Sequence, residues 1–420
     1  MKSVVAMLLA GGRGSRLNIL AMLRAKPAVT FGGIYRIIDF TLSNIVNSNI
    51  FIAGILTQYK PFSLMKHVGT GVPWDFIGRN RSVKILPPAT GMYDYDWYQG
   101  TADAIHQNIS FIERYDPAYT LVLSGDHIYH MNYNAMINFH QEKNADVTVA
   151  MMKVPLKLAT QFGIGIIDSD GRLTDWEEKP DKPRSDFASM GIYVFNTDYL
   201  KNALNQKSGN DFGKDIIPSA LKKDRIYAFP FKGYWQDVGT LQSFWDTNME
   251  ILDTRSNLRL NEWNVRTNVE EEEMISDRSP SYISGNAVIS NSLISPHCII
   301  EGTVINSILS PGVRICEGAS VRDSIIMHDC VIEKSSQLDY VIMDKECTAQ
   351  RSSIIGWGEN TKPNEENPSH LSSGLSVVGK KSLIPAKIRV GRNCIIHPLI
   401  EANAYKSDII ECGSTIKNPS

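Results

Sequence analysis

The sequence predicts an α/β domain, a Rossmann-like mainly parallel sheet, followed by a parallel β-helix. Three observations point there. Short apolar runs alternate with helical patterns through the first half, a short β repeat fills the last third, and the composition is that of an ordinary globular protein. The chain has 420 residues, 43% of them hydrophobic and 21% charged. Such a length suggests about two to three domains, and it buries a large core without staples. The formal net charge is −2. A near-neutral chain without a basic block has no electrostatic footprint for nucleic acid or an anionic membrane.

The runs 4–10, 51–57, 121–124 and 146–152 read as buried strands. The first is far shorter than the ~20 residues of a membrane span. Gly11, Gly12 and Arg13 follow it at once, without the cleavage-site pattern of a signal peptide. A cytoplasmic protein is the expectation. Between the strands, Ala102, Ile105, Ile109 and Ile112 step by three and four, which predicts one helix over 101–115. Strands alternating with helices make a mainly parallel sheet, whose ligands sit beyond the carboxyl ends of the strands. The loops after Ala10 and Ser124 are therefore the places to look.

The segment 253–280 is polar and carries the acidic run 270–273; it reads as a connector with solvated charges. Beyond 282, Cys298-Ile299-Ile300-Glu301-Gly302 is echoed by Arg314-Ile315-Cys316-Glu317-Gly318 and by Cys330-Val331-Ile332-Glu333-Lys334. A second echo runs through Ile294, Leu309, Ile326, Ile342 and Ile355. Such a unit cannot bury its apolar face alone, so neighbours stack into a solenoid, a parallel β-helix, with an ordinary β-sandwich as the alternative. An insertion over about 356–373 interrupts the pattern before it resumes at Val390 and Cys394. Cys298, Cys316, Cys330, Cys347, Cys394 and Cys412 form no close pair of the metal-site type; they read as buried small hydrophobes in a reducing compartment. His297, His328 and His397 are isolated and read as solvent-facing.

Five short stretches carry chemistry. In the first, a strand runs into Gly11-Gly12-Arg13-Gly14-Ser15-Arg16-Leu17. Glycines allow backbone N–H groups to approach phosphate oxygens, and Arg13 and Arg16 add charge. A dinucleotide fingerprint needs a third glycine where Leu17 stands, and no Walker A loop is present. By itself the stretch fits a plain tight turn equally well. In the second, Arg24 and Lys26 flank Ala25 before Pro27, as two cations able to fold back on a polyphosphate or as surface charges. In the third, Asp126 follows the strand ending at Ser124, well placed for Mg²⁺ or for capping a turn. His127 and His130 are too few for a zinc site and read as structural. The fourth is Glu177-Glu178-Lys179-Pro180, with Lys179 as a point charge for phosphate; the fifth is residues 234–240, where Asp237 offers a second hard oxygen. No Gly-x-Ser-x-Gly elbow or His-Glu-x-x-His is present, which removes support for a serine hydrolase or zinc protease.

In this order the stretches resemble the sugar-nucleotide pyrophosphorylases, and most closely their bacterial ADP-glucose-forming branch. The resemblance is carried by residues 11–17, Arg24-Ala25-Lys26-Pro27-Ala28-Val29, Phe31-Gly32-Gly33, Arg36-Ile37-Ile38-Asp39-Phe40, Thr57-Gln58-Tyr59, Trp97-Tyr98-Gln99-Gly100-Thr101, Ser124-Gly125-Asp126-His127-Ile128-Tyr129, Ser189-Met190-Gly191-Ile192-Tyr193, Asp211-Phe212-Gly213-Lys214-Asp215 and residues 234–240. It implies a nucleotidyltransferase domain over 1–250, a linker over 251–281 and a left-handed β-helix, regulatory and oligomerising, over 282–420. It implies adenylyl transfer from ATP to glucose 1-phosphate, for bacterial glycogen synthesis, with Mg²⁺ as cofactor. Alternatives are a non-catalytic regulatory subunit of such an enzyme, or transfer from another nucleotide such as UTP or dTTP. By resemblance, Gly11, Gly12, Gly14 and Arg13 hold the triphosphate and Lys26 stabilises the leaving pyrophosphate. Gln58, Tyr98, Gly100 and Thr101 line the base pocket, and Asp126 and Asp237 hold the metal. Glu178, Lys179, Ser189, Tyr193, Asp211, Phe212 and Trp235 surround glucose 1-phosphate. The family further implies a homotetramer, allosteric control and, in some bacteria, a paralogous regulatory subunit. Leu23, Ile34, His130 and Asn132 depart from its pattern, and the loss of cations at Leu23 and Ile34 bears on the control.

Overall fold

The computed structural model describes residues 3–12, 14–88, 97–206, 209–269 and 278–418; Arg13 and the acidic run 270–273 lie outside them. By contacts the chain divides into two units. One gathers Met1–Gly12, Ile38–Trp235 and Asn264–Arg266, the other Arg13–Ile37, Gln236–Trp263 and Thr267–Ser420.

The first unit is built on a mixed sheet. Its strands are β1 (Val4–Leu9), β2 (Ile52–Leu56), β3 (Ser82–Leu86), β4 (Tyr119–Ser124), β5 (Val147–Lys153), β6 (Gly163–Ile167), β7 (Leu173–Glu178), β8 (Phe187–Asn196) and β9 (Ile226–Pro230). They run in the order β7-β6-β8-β4-β1-β2-β3, with β5 also pairing β8 and β9. β1 is parallel to β2 and β4, and β2 to β3, as the alternation of strand and helix requires. β8 enters antiparallel to β4, β5 and β6. The continuous apolar runs are explained by burial on both faces: Val5, Met7, Val149 and Met151 join one core, and Ala6, Leu8 and Ala150, which point the other way, are buried as well. Leu9 is in register with both Leu56 and Ser124. That register delivers the loops beginning at Ala10, Thr57 and Gly125 to one end of the sheet.

The single helix expected over 101–115 is two, Thr101–Gln107 and Ile109–Tyr115. Asn108 breaks it with φ −113° and ψ 21°. Its side chain donates to the Tyr98 hydroxyl and to the Ala104 carbonyl, 2.9 Å each. Asparagine competes for backbone partners in this way, and the three-and-four apolar step continues through the break.

The second unit contains the β-helix. Each coil lays one short strand on each of three parallel sheets: Ile299 pairs with Arg314, Val304 with Val321, and Ile308 with Ile325. The inward ends, such as Ile300, Ile315, Ile332, Val321 and Ile326, are buried in one cluster. Asn291, Asn306 and Asp323 turn successive corners with positive φ, which Asn and Asp tolerate. Five cysteines are buried and Cys316 is half-buried, all as free thiols. His297 is exposed, as expected, but His328 and His397 are half-buried. His328 lies among Lys345, Arg36, Arg278 and Arg24, and burial first, then these cations, hold it well below the ordinary imidazole range.

Two stretches far from the repeat in sequence pack in this unit. The helix Leu241–Glu250 starts at a Thr240 capping box. It reaches the coils through Trp245 Nε1, which donates to the Asp323 carbonyl at 2.9 Å. A Cβ at Gly33 would come within 2.7 Å of Ser295 Oγ and 2.9 Å of Leu293, at φ +86°, so only glycine fits. No helix among the described residues is long and apolar enough to cross a membrane.

Candidate active site

At the carboxyl end of β1 the chain is pinned by Ala10 N–H donating to the Leu56 carbonyl at 2.8 Å. A Cβ at Gly11 would stand 3.3 Å from Gln58 Cγ, whereas one at Gly12 would meet nothing within 4 Å. The exposed Gly12 backbone is thus open to a ligand on a loop that neighbouring strands hold in place. At the end of β4, Gly125 N–H donates to the Leu9 carbonyl at 3.1 Å. Asp126 follows, with its half-exposed carboxylate accepting from the Ser124 hydroxyl. His127 Nε2 lies 3.5 Å from that carboxylate. The His127 ring meets the Trp235 indole edge-on, with centroids 4.9 Å apart.

Gln58 accepts from Tyr98 N–H at 2.8 Å. The Tyr98 hydroxyl is committed: it donates to the Leu86 carbonyl at 2.9 Å and accepts from Asn108. Burial pushes it up to about 12. Tyr98 therefore acts as a wall, and Gln58 carries the hydrogen-bonding capacity at this place.

Gly100 is demanded by close approach, since a Cβ there would lie 2.3 Å from the Asn210 carbonyl oxygen. Thr101 Oγ1 then donates to Asp211 at 3.1 Å and accepts from Phe212 N–H at 3.0 Å. The residues expected around the base and those expected around the sugar are joined at this threonine. Asp211 also caps the π-helical turn Phe212–Ile216, accepting from Gly213 N–H at 2.9 Å and Lys214 N–H at 3.0 Å. Beneath it Phe212 and Tyr193 pack with ring centroids 5.6 Å apart, both buried. The Tyr193 hydroxyl bonds Ser189, and burial raises its pKa. The strand is irregular between Ser189 and Tyr193, where Gly191 takes φ +68° and Ser189 Oγ accepts its N–H at 3.2 Å.

Glu178 ends β7 with Lys179 Nζ at 3.6 Å; the lysine side chain is exposed. Burial raises the Glu178 pKa, and the nearby Asp211 charge adds to it, against Lys179. Trp235 packs edge-on against Phe162 at 5.3 Å. The buried indole nitrogens of Trp235 and Trp176 have no hydrogen-bond partner among the described residues. A buried N–H without an acceptor costs ~1–3 kcal/mol, so both positions are ready for an acceptor brought by a ligand or water. Trp176 is absent from the residues expected at the site. The signal was available: it lies two residues before Glu178 on one strand, hence on the same face.

In the second unit, Lys26 is buried and its Nζ lies 2.9 Å from Asp237 Oδ1, with Arg16 3.5 Å from Oδ2. A Cβ at Gly14, which has φ +62°, would stand 3.0 Å from Lys26 Cβ. Lys26 and Asp237, expected on separate grounds, are thus brought together, and Gly14 makes room for the lysine. Arg24 parts company with Lys26. It is buried in an ion pair with Asp344 of the β-helix and is no free cation for a polyphosphate. Neither Arg24 nor Lys26 is a surface charge.

The family model described as nucleotidyl transferase matches residues 5–254, and the one described as GlmU-like, C-terminal hexapeptide, matches residues 281–378. The chain belongs to the nucleotidyl transferase family, whose members generally use a divalent metal ion. Among curated relatives, the glucose-1-phosphate adenylyltransferase of Acetivibrio thermocellus is 43% identical over 423 residues, covering 99% of this chain and 98% of its own. That of Thermotoga neapolitana is 45% identical, covering 99% of each chain. That of Thermomicrobium roseum is 45% identical over 426 residues, covering 100% of this chain and 98% of its own.

Proposed function

We propose that this protein transfers the adenylyl group of ATP to α-D-glucose 1-phosphate, forming ADP-glucose and pyrophosphate for glycogen synthesis. The observation that carries the reading is the likeness to adenylyltransferases along the whole of both chains. The sugar-phosphate oxygen forms a bond to the α-phosphorus of ATP while the bond to the pyrophosphate oxygen breaks. Such a transfer needs positioning and charge neutralisation, with no covalent enzyme intermediate. The backbone at Gly11, Gly12 and Gly14, with Arg13, holds the triphosphate. Lys26 steadies the leaving pyrophosphate, its ammonium already fixed by Asp237. Gln58, Tyr98, Gly100 and Thr101 shape the adenine pocket. Glu178, Ser189, Tyr193, Asp211, Phe212 and Trp235 surround the glucosyl ring, and Lys179 meets its phosphate.

Asp126 and Asp237 present hard carboxylate oxygens, the donor class for Mg²⁺, and would hold that ion, which when bound neutralises phosphate charge. On this reading residues 1–250 carry the chemistry, 251–281 connect, and 282–420 serve regulation and assembly as a cytoplasmic homotetramer. The test is pyrophosphate release by the purified full chain with Mg²⁺, glucose 1-phosphate and each of ATP, UTP and dTTP. Release that is fastest with ATP is the expected result. No release, or a preference for UTP or dTTP, overturns it. Mass photometry reads the tetramer separately.

A further inference from the structure

The Glu178 carboxylate occupies a space kept free by two glycines distant in sequence. A Cβ built on Gly213 would stand 2.5 Å from Glu178 Oε2, and one built on Gly163 would stand 2.8 Å from the same oxygen. Real Cβ atoms do not approach so closely. Neither glycine needs to be glycine for its backbone, since neither has a positive φ. What both positions exclude is a side chain. Gly163 is paired directly with Glu178 across β6 and β7, and Gly165 with Trp176. Gly213 sits on the turn that Asp211 caps. The third wall is Trp176, whose ring edge would lie 2.3 Å from a Cβ on Gly163. Trp176 is 8% exposed. Its side chain and that of Glu178 leave the strand on one face.

We propose that Gly163, Gly213 and Trp176 are positioning residues, which hold the Glu178 carboxylate where it accepts hydrogen bonds from the hydroxyls of a hexose 1-phosphate. The inference rests on the sugar-phosphate reading above and deepens it. A glutamate has three rotatable bonds, and an exposed one would sample many places. Here two missing methyl groups keep open, beside an indole edge, the place the carboxylate takes, and a methyl group on either glycine would drive it out. An acceptor kept at that place also distinguishes hexoses that differ in the orientation of one hydroxyl, because the wrong epimer leaves a half-buried carboxylate unpartnered.

The test is a set of full-length variants read by calorimetric glucose 1-phosphate binding and by separate KM values for glucose 1-phosphate and ATP. In G213A the colliding atom is the free end of Glu178, so the fold gives way there at little cost. Glucose 1-phosphate affinity should fall about tenfold, the loss of one good hydrogen bond. KM for ATP should stay within about twofold, and the preference for glucose over galactose 1-phosphate should shrink. In the G213A background, E178D should cost less than it does alone, because the shorter side chain clears the new methyl group. W176A should weaken glucose 1-phosphate binding, and W176F, which keeps a flat wall, should restore most of it. Unchanged glucose 1-phosphate binding in both G213A and W176A overturns the inference. So does an equal rise in both KM values, which marks a general structural fault. If G213A fails to fold, the contrast between W176A and W176F decides alone. A wild-type chain that binds glucose 1-phosphate but releases no pyrophosphate defeats the activity reading while leaving the binding comparison intact; one that binds no glucose 1-phosphate defeats both.

Discussion

Two buried polar regions of this molecule are handled in opposite ways. In the second unit, Asn364 lies in the insertion of the β-helix and is fully buried. Its Nδ2 donates to the carbonyls of Asn393 at 3.0 Å and Gly413 at 3.1 Å, and its Oδ1 accepts from Glu366 and Asn367 N–H. In the first unit, the indole nitrogens of Trp176 and Trp235 are buried with no partner among the described residues, and Glu178 has an exposed lysine 3.6 Å away. The β-helix spends its buried amide on holding itself together. Buried polar atoms without a partner among the described residues occur in the β-helix too, at Ser295, Ser310, His328 and Tyr405; what sets the first unit apart is that its unpartnered Trp176 indole shares the Gly163 face with the Glu178 carboxylate.

The sharpest way to break that contrast is Asp126→Asn. It should leave the denaturation midpoint near wild type yet lower kcat by about 10³-fold or more, roughly 4 kcal/mol, as expected when a group neutralising transferring phosphates is lost. Pyrophosphate release together with thermal unfolding checks both halves. Next in size is Asp344→Ala, which strands the buried Arg24 guanidinium. Removing one member of a buried pair costs about 3–5 kcal/mol, so the urea midpoint should drop, and D344A/R24M should recover much of the loss.

A third prediction concerns pH. Burial holds His140, with Thr148 at 2.8 Å from its Nδ1, near pKa 4, against an ordinary 6.5. Between those values the unfolded chain binds a proton that the folded chain refuses. Stability from this residue is complete above about pH 6.5 and declines as pH falls toward 4, by at most about 3 kcal/mol. Urea midpoints of wild type and His140→Asn across that window should converge toward acid; parallel curves would contradict it. The smallest effect is expected of Asn364→Ala, which should cost about 2 kcal/mol by leaving buried carbonyls unpaired, while kcat and both KM values hold. A change in kcat there would erase the distinction between the two regions.

Four strands of the first sheet, the β-helix and the loops after Ala10 and Ser124 were legible because each is written in local periodicity or in runs of β-formers; the strands 163–167, 173–178 and 187–196, interrupted by glycines or charges, were not. The helix over 101–115 was read too long because the apolar step does not register Asn108, whose side chain finds Tyr98 only in the fold. Arg24 and Lys26 look alike in sequence, separated by one alanine. One is paired with Asp344, 320 residues on, and the other with Asp237, 211 residues on. Trp176 was passed over for a different reason: its face is shared with Glu178 only once 173–178 is known to be a strand, and no run of β-formers marks that segment.

The sequence by itself therefore determined four strands of the first sheet, where the repeat begins, and which glycines and carboxylate follow the ends of two of those strands. These depend on neighbours a few residues apart. Only the tertiary structure decided that Lys26 belongs with Asp237, that Thr101 bridges to Asp211, and that Gly163 and Gly213 clear a space for Glu178. Each of those facts joins residues from distant segments. Steric exclusion and charge pairing act through space, and no pattern along the chain records which side chains will meet there.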